Sequence, residues 1–154
     1  MRCAGPTLFV SFSLIATLPI GSLDGSPAGD APEPNASKIV TEWTFPHGPD
    51  GGIQTIGIAN GPIQTSILDT KKPFGEVWTF YAKKIGSDKE YGERKGYFDH
   101  GKTKDGRYCI RDLIRTGESR RTFFVYTCPR FTVTAIVRPD RDRTVVDMTV
   151  VTHK

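Results

Sequence analysis

Residues 107–152 read RYCIRDLIRTGESRRTFFVYTCPRFTVTAIVRPDRDRTVVDMTVVT. The run is rich in Val, Ile, Thr, Phe and Tyr and is cut at short intervals by Gly, Ser, Pro and Asp. That composition favours pleated strands joined by tight turns. Four strands emerge, at 107–116, 121–128, 131–138 and 144–152. Gly117 and Ser119 supply the first turn, and Pro139, Asp140 and Asp142 supply the last. Phe131, Val133, Ala135 and Val137 alternate with threonines and Ile136, as in a half-buried strand. Pairing Val137 with Thr144 sets Val133 against Met148. The expected unit is a four-strand antiparallel meander.

Upstream, the period changes. Phe74, Val77, Trp78, Tyr81 and Ile85 fall at i, i+3, i+4, i+7 and i+11, one face of a helix at about 73–85. Pro73 suits its first turn, Lys83 and Lys84 its negative end, and Gly86 the position after its last residue. A helix this short needs a sheet to lie on. Before it, 53–59 and 63–68 flank Asn60-Gly61, a hairpin signal. Before that, Ile39, Thr41, Trp43 and Phe45 alternate as a strand does. The expected fold is α+β: strand, hairpin, one amphipathic helix, then the meander, with the helix packed on an antiparallel sheet.

The run Thr70-Lys71-Lys72-Pro73-Phe74-Gly75-Glu76-Val77-Trp78-Thr79-Phe80-Tyr81-Ala82-Lys83-Lys84 resembles a segment of small exported bacterial proteins of unknown function. In those, a strand ending in Thr leads into a helix of the form P-F-x-x-V-x-x-F-Y. The resemblance covers about fifteen residues. It implies a bacterial envelope protein with a helix on a sheet, and no activity.

Export is also the reading of the first residues. Met1-Arg2 precedes an apolar run from Leu8 to Ile20, followed by the small residues Gly21, Ser22, Gly25, Ser26 and Ala28. This is the pattern of a secretory signal peptide, and the run is shorter than the roughly 20 apolar residues of a membrane span. The expected organisation is a signal peptide at 1–28, a Pro- and Gly-rich tether at 29–37 and one domain at 38–154. Such a chain resides in the periplasm, the envelope or outside the cell, with no membrane span once the leader is cleaved. Asn35-Ala36-Ser37 is a glycosylation sequon, meaningful only in a eukaryotic secretory pathway.

Of three cysteines, Cys3 belongs to the leader. Cys109 and Cys128 remain as an even pair in an oxidising setting. If Thr116 faces Arg121, then Leu113 faces Phe124 and Cys109 faces Cys128, with Cβ atoms about 4.5–5.5 Å apart. A disulfide between them is expected. The competing reading, a reactive thiol, requires a base that only the fold can bring near.

The formal net charge is +4, and between Lys83 and Arg121 twelve Lys or Arg stand against seven Asp or Glu. Outside the cytoplasm a basic surface finds anionic polymers and acidic proteins, and nucleic acid is not expected. In the polar stretch 87–106, Tyr91, Tyr97 and Phe98 mix with Arg94, Lys95, Lys102 and Lys104, the residue types that most often carry binding energy. Tyr97-Phe98 is the best candidate there for a short strand. The expected function is non-catalytic binding of a macromolecular partner, an anionic polymer or envelope protein, by this loop or the sheet surface.

Two alternatives stand beside it. A small hydrolase or isomerase with a cleft between helix and sheet would use Asp99, His100 and Tyr97 first, with Glu42, Asp112 and Asp147 as strand-borne acids. An inhibitor of another exported enzyme would use the turn at 139–143 as a wedge. His47, His100 and His153 have no metal-ligand spacing, and no serine motif or phosphate loop occurs, so neither metal nor cofactor is expected.

Overall fold

A computed structural model describes residues 34–57, 61–92, 98–113 and 120–154. The chain runs α1 (Ala36–Trp43), β1 (Gly52–Gly57), β2 (Ile63–Thr70), α2 (Phe74–Lys84), β3 (Phe98–Lys102), β4 (Arg107–Leu113), β5 (Arg121–Thr127), β6 (Phe131–Asp140) and β7 (Arg143–Thr152). All seven strands form one antiparallel sheet in the order β1-β2-β7-β6-β5-β4-β3. The chain leaves the first hairpin at β2, crosses one face of the sheet as α2, and starts again at the far edge with β3. A five-strand meander then returns it until β7 pairs with β2.

The α+β class and the helix on an antiparallel sheet are therefore present, with α2 where the apolar stripe placed it. The meander is larger than expected, because β3 adds a strand beginning at Phe98. The strand expected at 39–45 is a helix. Ile39 and Trp43 fit both periods, but Ala36 and Val40 complete an i, i+3, i+4, i+7 face that is buried, whereas Thr41 and Glu42 are exposed. Asn35 decides the start: its side-chain oxygen accepts from the Ser37 and Lys38 amides at 2.9 and 3.3 Å. Ala36 and Ser37 therefore belong to α1 rather than to a tether, and the sequon asparagine is a helix cap.

Both helices lie on the same face, α1 over β2 and β7 and α2 over β5, β6 and β7. The core forms between them and the sheet. Val77, Trp78, Tyr81, Ala82 and Ile85 from α2 meet Ile110, Phe124, Val133, Ala135, Val137, Val146, Met148 and Val150. Trp78 meets Phe124 edge-on and Tyr81 meets it tilted, with ring centroids 5.5 and 5.8 Å apart, and Trp43 of α1 lies 5.3 Å from Tyr126. Burial pushes the Tyr81 phenol well above its ordinary pKa, against a smaller opposing effect of a hydrogen bond with the Phe45 backbone.

The register of β4 with β5 differs from expectation. Leu113, not Thr116, faces Arg121, so Ile110 faces Phe124 and Cys109 faces Val125. A three-residue shift is odd and exchanges the faces of one strand. It turns Ile110 into the core, where its exposure falls to 0%, and leaves Leu113 at 36%. It also turns Asp112 inward, where Arg120 and Thr122 satisfy its carboxylate. In β6 and β7, Val137 faces Val146 rather than Thr144. This even shift keeps the faces and closes the hairpin with Arg141 and Asp142 alone, Arg141 at a left-handed φ of 57°.

Candidate binding surface

The face opposite the helices carries no described element. Its residues follow from the register in three rows running from β2 to β3. One holds Ile63, Val151, Thr132, Thr127, Arg107 and Lys102; the next Thr65, Thr149, Thr134, Val125, Cys109 and His100; the third Ile67, Asp147, Ile136, Phe123, Arg111 and Phe98. Arg121 and Leu113 pair one step beyond the third row.

Charge is segregated on this face. On the β2-β7-β6 half, Asp147 accepts from Arg138 at 3.2 Å, and Asp69 accepts from Arg143, which also donates to the Asp50 carbonyl at 2.9 Å. On the β3-β4-β5 half, Lys102, Arg107, Arg111 and Arg121 are all exposed, and among the described residues of these strands no carboxylate shares the face with them. Both acids of these strands, Asp99 and Asp112, point to the helix side. Lys102 stands directly opposite Arg107, a like-charge pair that costs stability. Arg111 and Arg121 are diagonal neighbours about 8 Å apart from strand spacing and rise. Phe98, 60% exposed, and Leu113 give the cationic patch an apolar border.

The residues singled out in the polar stretch are divided by this geometry. Phe98, His100 and Lys102 lie on the uncovered face of β3, with Phe98 and His100 in ring contact at 5.4 Å. Lys104 lies in the β3–β4 turn. Tyr91 is drawn inward against Phe74 and Trp78, at 5.8 and 5.7 Å, and belongs to the scaffold rather than to an exposed contact surface. Tyr97, Arg94 and Lys95 lie outside the described residues.

The candidate acid–base pair does not assemble. Asp99 faces inward, accepting from Ser87 Oγ at 3.2 Å and Tyr108 Oη at 3.3 Å, while His100 projects from the opposite side of the same strand. Asp112 and Asp147 also occupy opposite faces, and Glu42 is exposed on α1. The turn proposed as an inhibitory wedge has its flanks fully paired, down to Asp140 with Arg143. Among the described residues no three His, Cys, Asp or Glu cluster as metal ligands would, and no helix is long and apolar enough to cross a membrane.

Cys109 and Cys128 are free thiols here. Cys109 lies on the uncovered face, whereas Cys128 follows β5 on the helix-side row. They are three positions apart, roughly 10 Å along the strand, and on opposite faces. A disulfide needs Cα atoms within about 7 Å, so the bond expected from the Thr116–Arg121 register has no geometry to form. The fold instead sets His100 directly across from Cys109.

Arg107, Arg111 and Arg121 went unnoticed in the sequence, although Arg107 and Arg111 share a parity on one strand. What hid them was the odd shift in register, which decides whether that parity faces water or core. Compared with protein-family models, curated proteins and solved structures, the chain matches none.

Proposed function

We propose that this is an exported, non-catalytic domain that binds an anionic macromolecular partner of the cell envelope or extracellular space through the uncovered face of β3, β4 and β5. The observation that carries the proposal is the set of four exposed cations, Lys102, Arg107, Arg111 and Arg121, with no carboxylate on their half of the face among the described residues. A surface made only for solubility intersperses the two signs, as the β2-β7-β6 half does. A sheet edge that keeps Lys102 opposite Arg107 gives up stability, and a polyanion lying across it returns that stability. Arg side chains and an exposed aromatic ring next to them are the usual anchors of such contacts.

Binding of the purified chain to immobilised dextran sulfate, with uncharged dextran as the control, tests this reading. Retention that weakens steadily as salt is raised through the physiological range supports it, since exposed charges are screened within about 8 Å at that ionic strength. Equal retention on dextran, or none on dextran sulfate at low salt, refutes it.

A further inference from the structure

The geometry points to a specific seat for the anionic partner: the hollow between the β3–β4 and β5–β6 turns takes a phosphate ester of a small polyol. This rests on the binding reading above and names the group recognised. The hollow measures about 420 Å³, a size that suits a small organic unit rather than a bare ion. Lys102, Lys104 and Arg107 line one side, Thr127, Cys128 and Pro129 the other, and Asp105 is the single carboxylate at its wall.

Its walls are fixed in advance. The Thr103 amide donates to the Gly106 carbonyl at 2.9 Å, and the Gly106 amide donates to Thr103 Oγ1 at 3.0 Å. Gly106 is pressed against the neighbouring strand so closely that a Cβ there would fall 2.4 Å from the Thr127 carbonyl oxygen. On the other side, the Cys128 amide donates to the Phe131 carbonyl at 2.9 Å. A preformed site loses less freedom on binding than a mobile one.

The choice of phosphate follows from charge. Three cations line the hollow against one carboxylate, more positive charge than a single carboxylate of a uronic acid neutralises. A phosphate monoester brings close to two negative charges and three acceptor oxygens, matched by an arginine fork and two ammonium groups. It also relieves the repulsion between Lys102 and Arg107 across β3 and β4. The remaining volume accommodates the polyol.

A phosphate monoester of glycerol occurs on a phosphorylated polymer and on phosphatidic acid in a membrane, and the experiment separates them. The full chain is titrated with glycerol 1-phosphate, with glycerol, and with vesicles of phosphatidic acid or phosphatidylcholine. Carboxamidomethylation of each cysteine is followed by peptide mapping as a second readout. Saturable binding of glycerol 1-phosphate but not glycerol is expected, weakened about tenfold in Lys104→Gln and further in Lys102→Gln/Arg107→Gln. Bound glycerol 1-phosphate slows modification of Cys128 and leaves Cys109 unchanged.

Binding to glycerol 1-phosphate alone assigns the seat to a soluble or polymer-borne ester. Additional binding to phosphatidic acid vesicles, lost in Lys104→Gln, assigns it to the headgroup. No binding of glycerol 1-phosphate, or binding that Lys104→Gln and Lys102→Gln/Arg107→Gln leave intact, overturns the proposal, even if vesicles bind by diffuse attraction. Dextran sulfate binding that persists in that case, and that Arg111→Gln/Arg121→Gln abolishes, leaves the wider binding reading standing while the phosphate seat falls.

Discussion

Replacing Arg120 by Met should destabilise the domain by about 3–5 kcal/mol, the usual cost of removing one partner of a buried ion pair. The Asp112 side chain is fully buried and that of Arg120 is 16% exposed. The Arg120 Nε donates to Asp112 at 3.1 Å, a second nitrogen bonds the same carboxylate, and the guanidinium also donates to Tyr91 Oη at 3.1 Å and the Gly92 carbonyl at 3.3 Å. Its plane lies 5.3 and 5.1 Å from the Phe74 and Tyr91 rings. Met keeps most of the apolar contact with those rings, so the loss isolates the carboxylate, left with Thr122 alone. Against a total of about 5–15 kcal/mol, this is a large fraction. Urea denaturation at neutral pH measures it. The double variant Arg120→Met/Asp112→Leu should recover part of the loss, because a buried pair replaced by apolar residues is close to neutral. The unpartnered Thr122 hydroxyl would retain about 1–3 kcal/mol of it. A single variant that costs less than about 1 kcal/mol, or a double variant as unstable as the single, refutes the reasoning.

Gly106→Ala should cost about 1–3 kcal/mol, since its Cβ would meet the Thr127 carbonyl, and thermal unfolding measures the change; an unchanged midpoint contradicts the close approach. Cys109 and Cys128 should both alkylate in the folded, unreduced protein, as peptide mapping will show; two thiols blocked until reductant is added would restore the disulfide. Alkaline pH should destabilise the chain through Tyr81. Its folded pKa lies above the unfolded value near 10, so the unfolded state releases a proton that the folded state keeps. This contribution is fully present below pH 10 and declines as pH rises beyond it. Tyr81→Phe should flatten that part of the stability–pH curve, and an unchanged slope would count against the assignment.

Much of the scaffold was legible in the sequence because its signals are local. The α2 stripe from Phe74 to Ile85 fits only the helical period, and Pro139–Asp140 lie beside the β6–β7 reversal. Residues 36–45 misled because Ile39 and Trp43 satisfy both periods; the Asn35 cap was the signal that separates them. Register was the harder quantity. The β4–β5 register depends on which residues the core takes in, and placing Ile110 opposite Phe124 in that core is a tertiary choice with no local mark. The binding surface and the cysteine geometry both hang on that shift. The basic character of 83–121 could be counted, but its confinement to one half of one face could not.

The proposed binding requires that position, not net charge, makes the patch. Two variants that remove the same charge test it: Arg111→Gln/Arg121→Gln from the cation-only half, and Arg138→Gln/Arg143→Gln from the half where Asp147 and Asp69 pair them. Binding of each to dextran sulfate is measured at fixed salt alongside the parent chain. The first should lose at least about tenfold in affinity, near one charge-assisted contact's worth, and the second should bind with affinity near the parent's. Equal losses in both would reduce the patch to net charge and contradict the account.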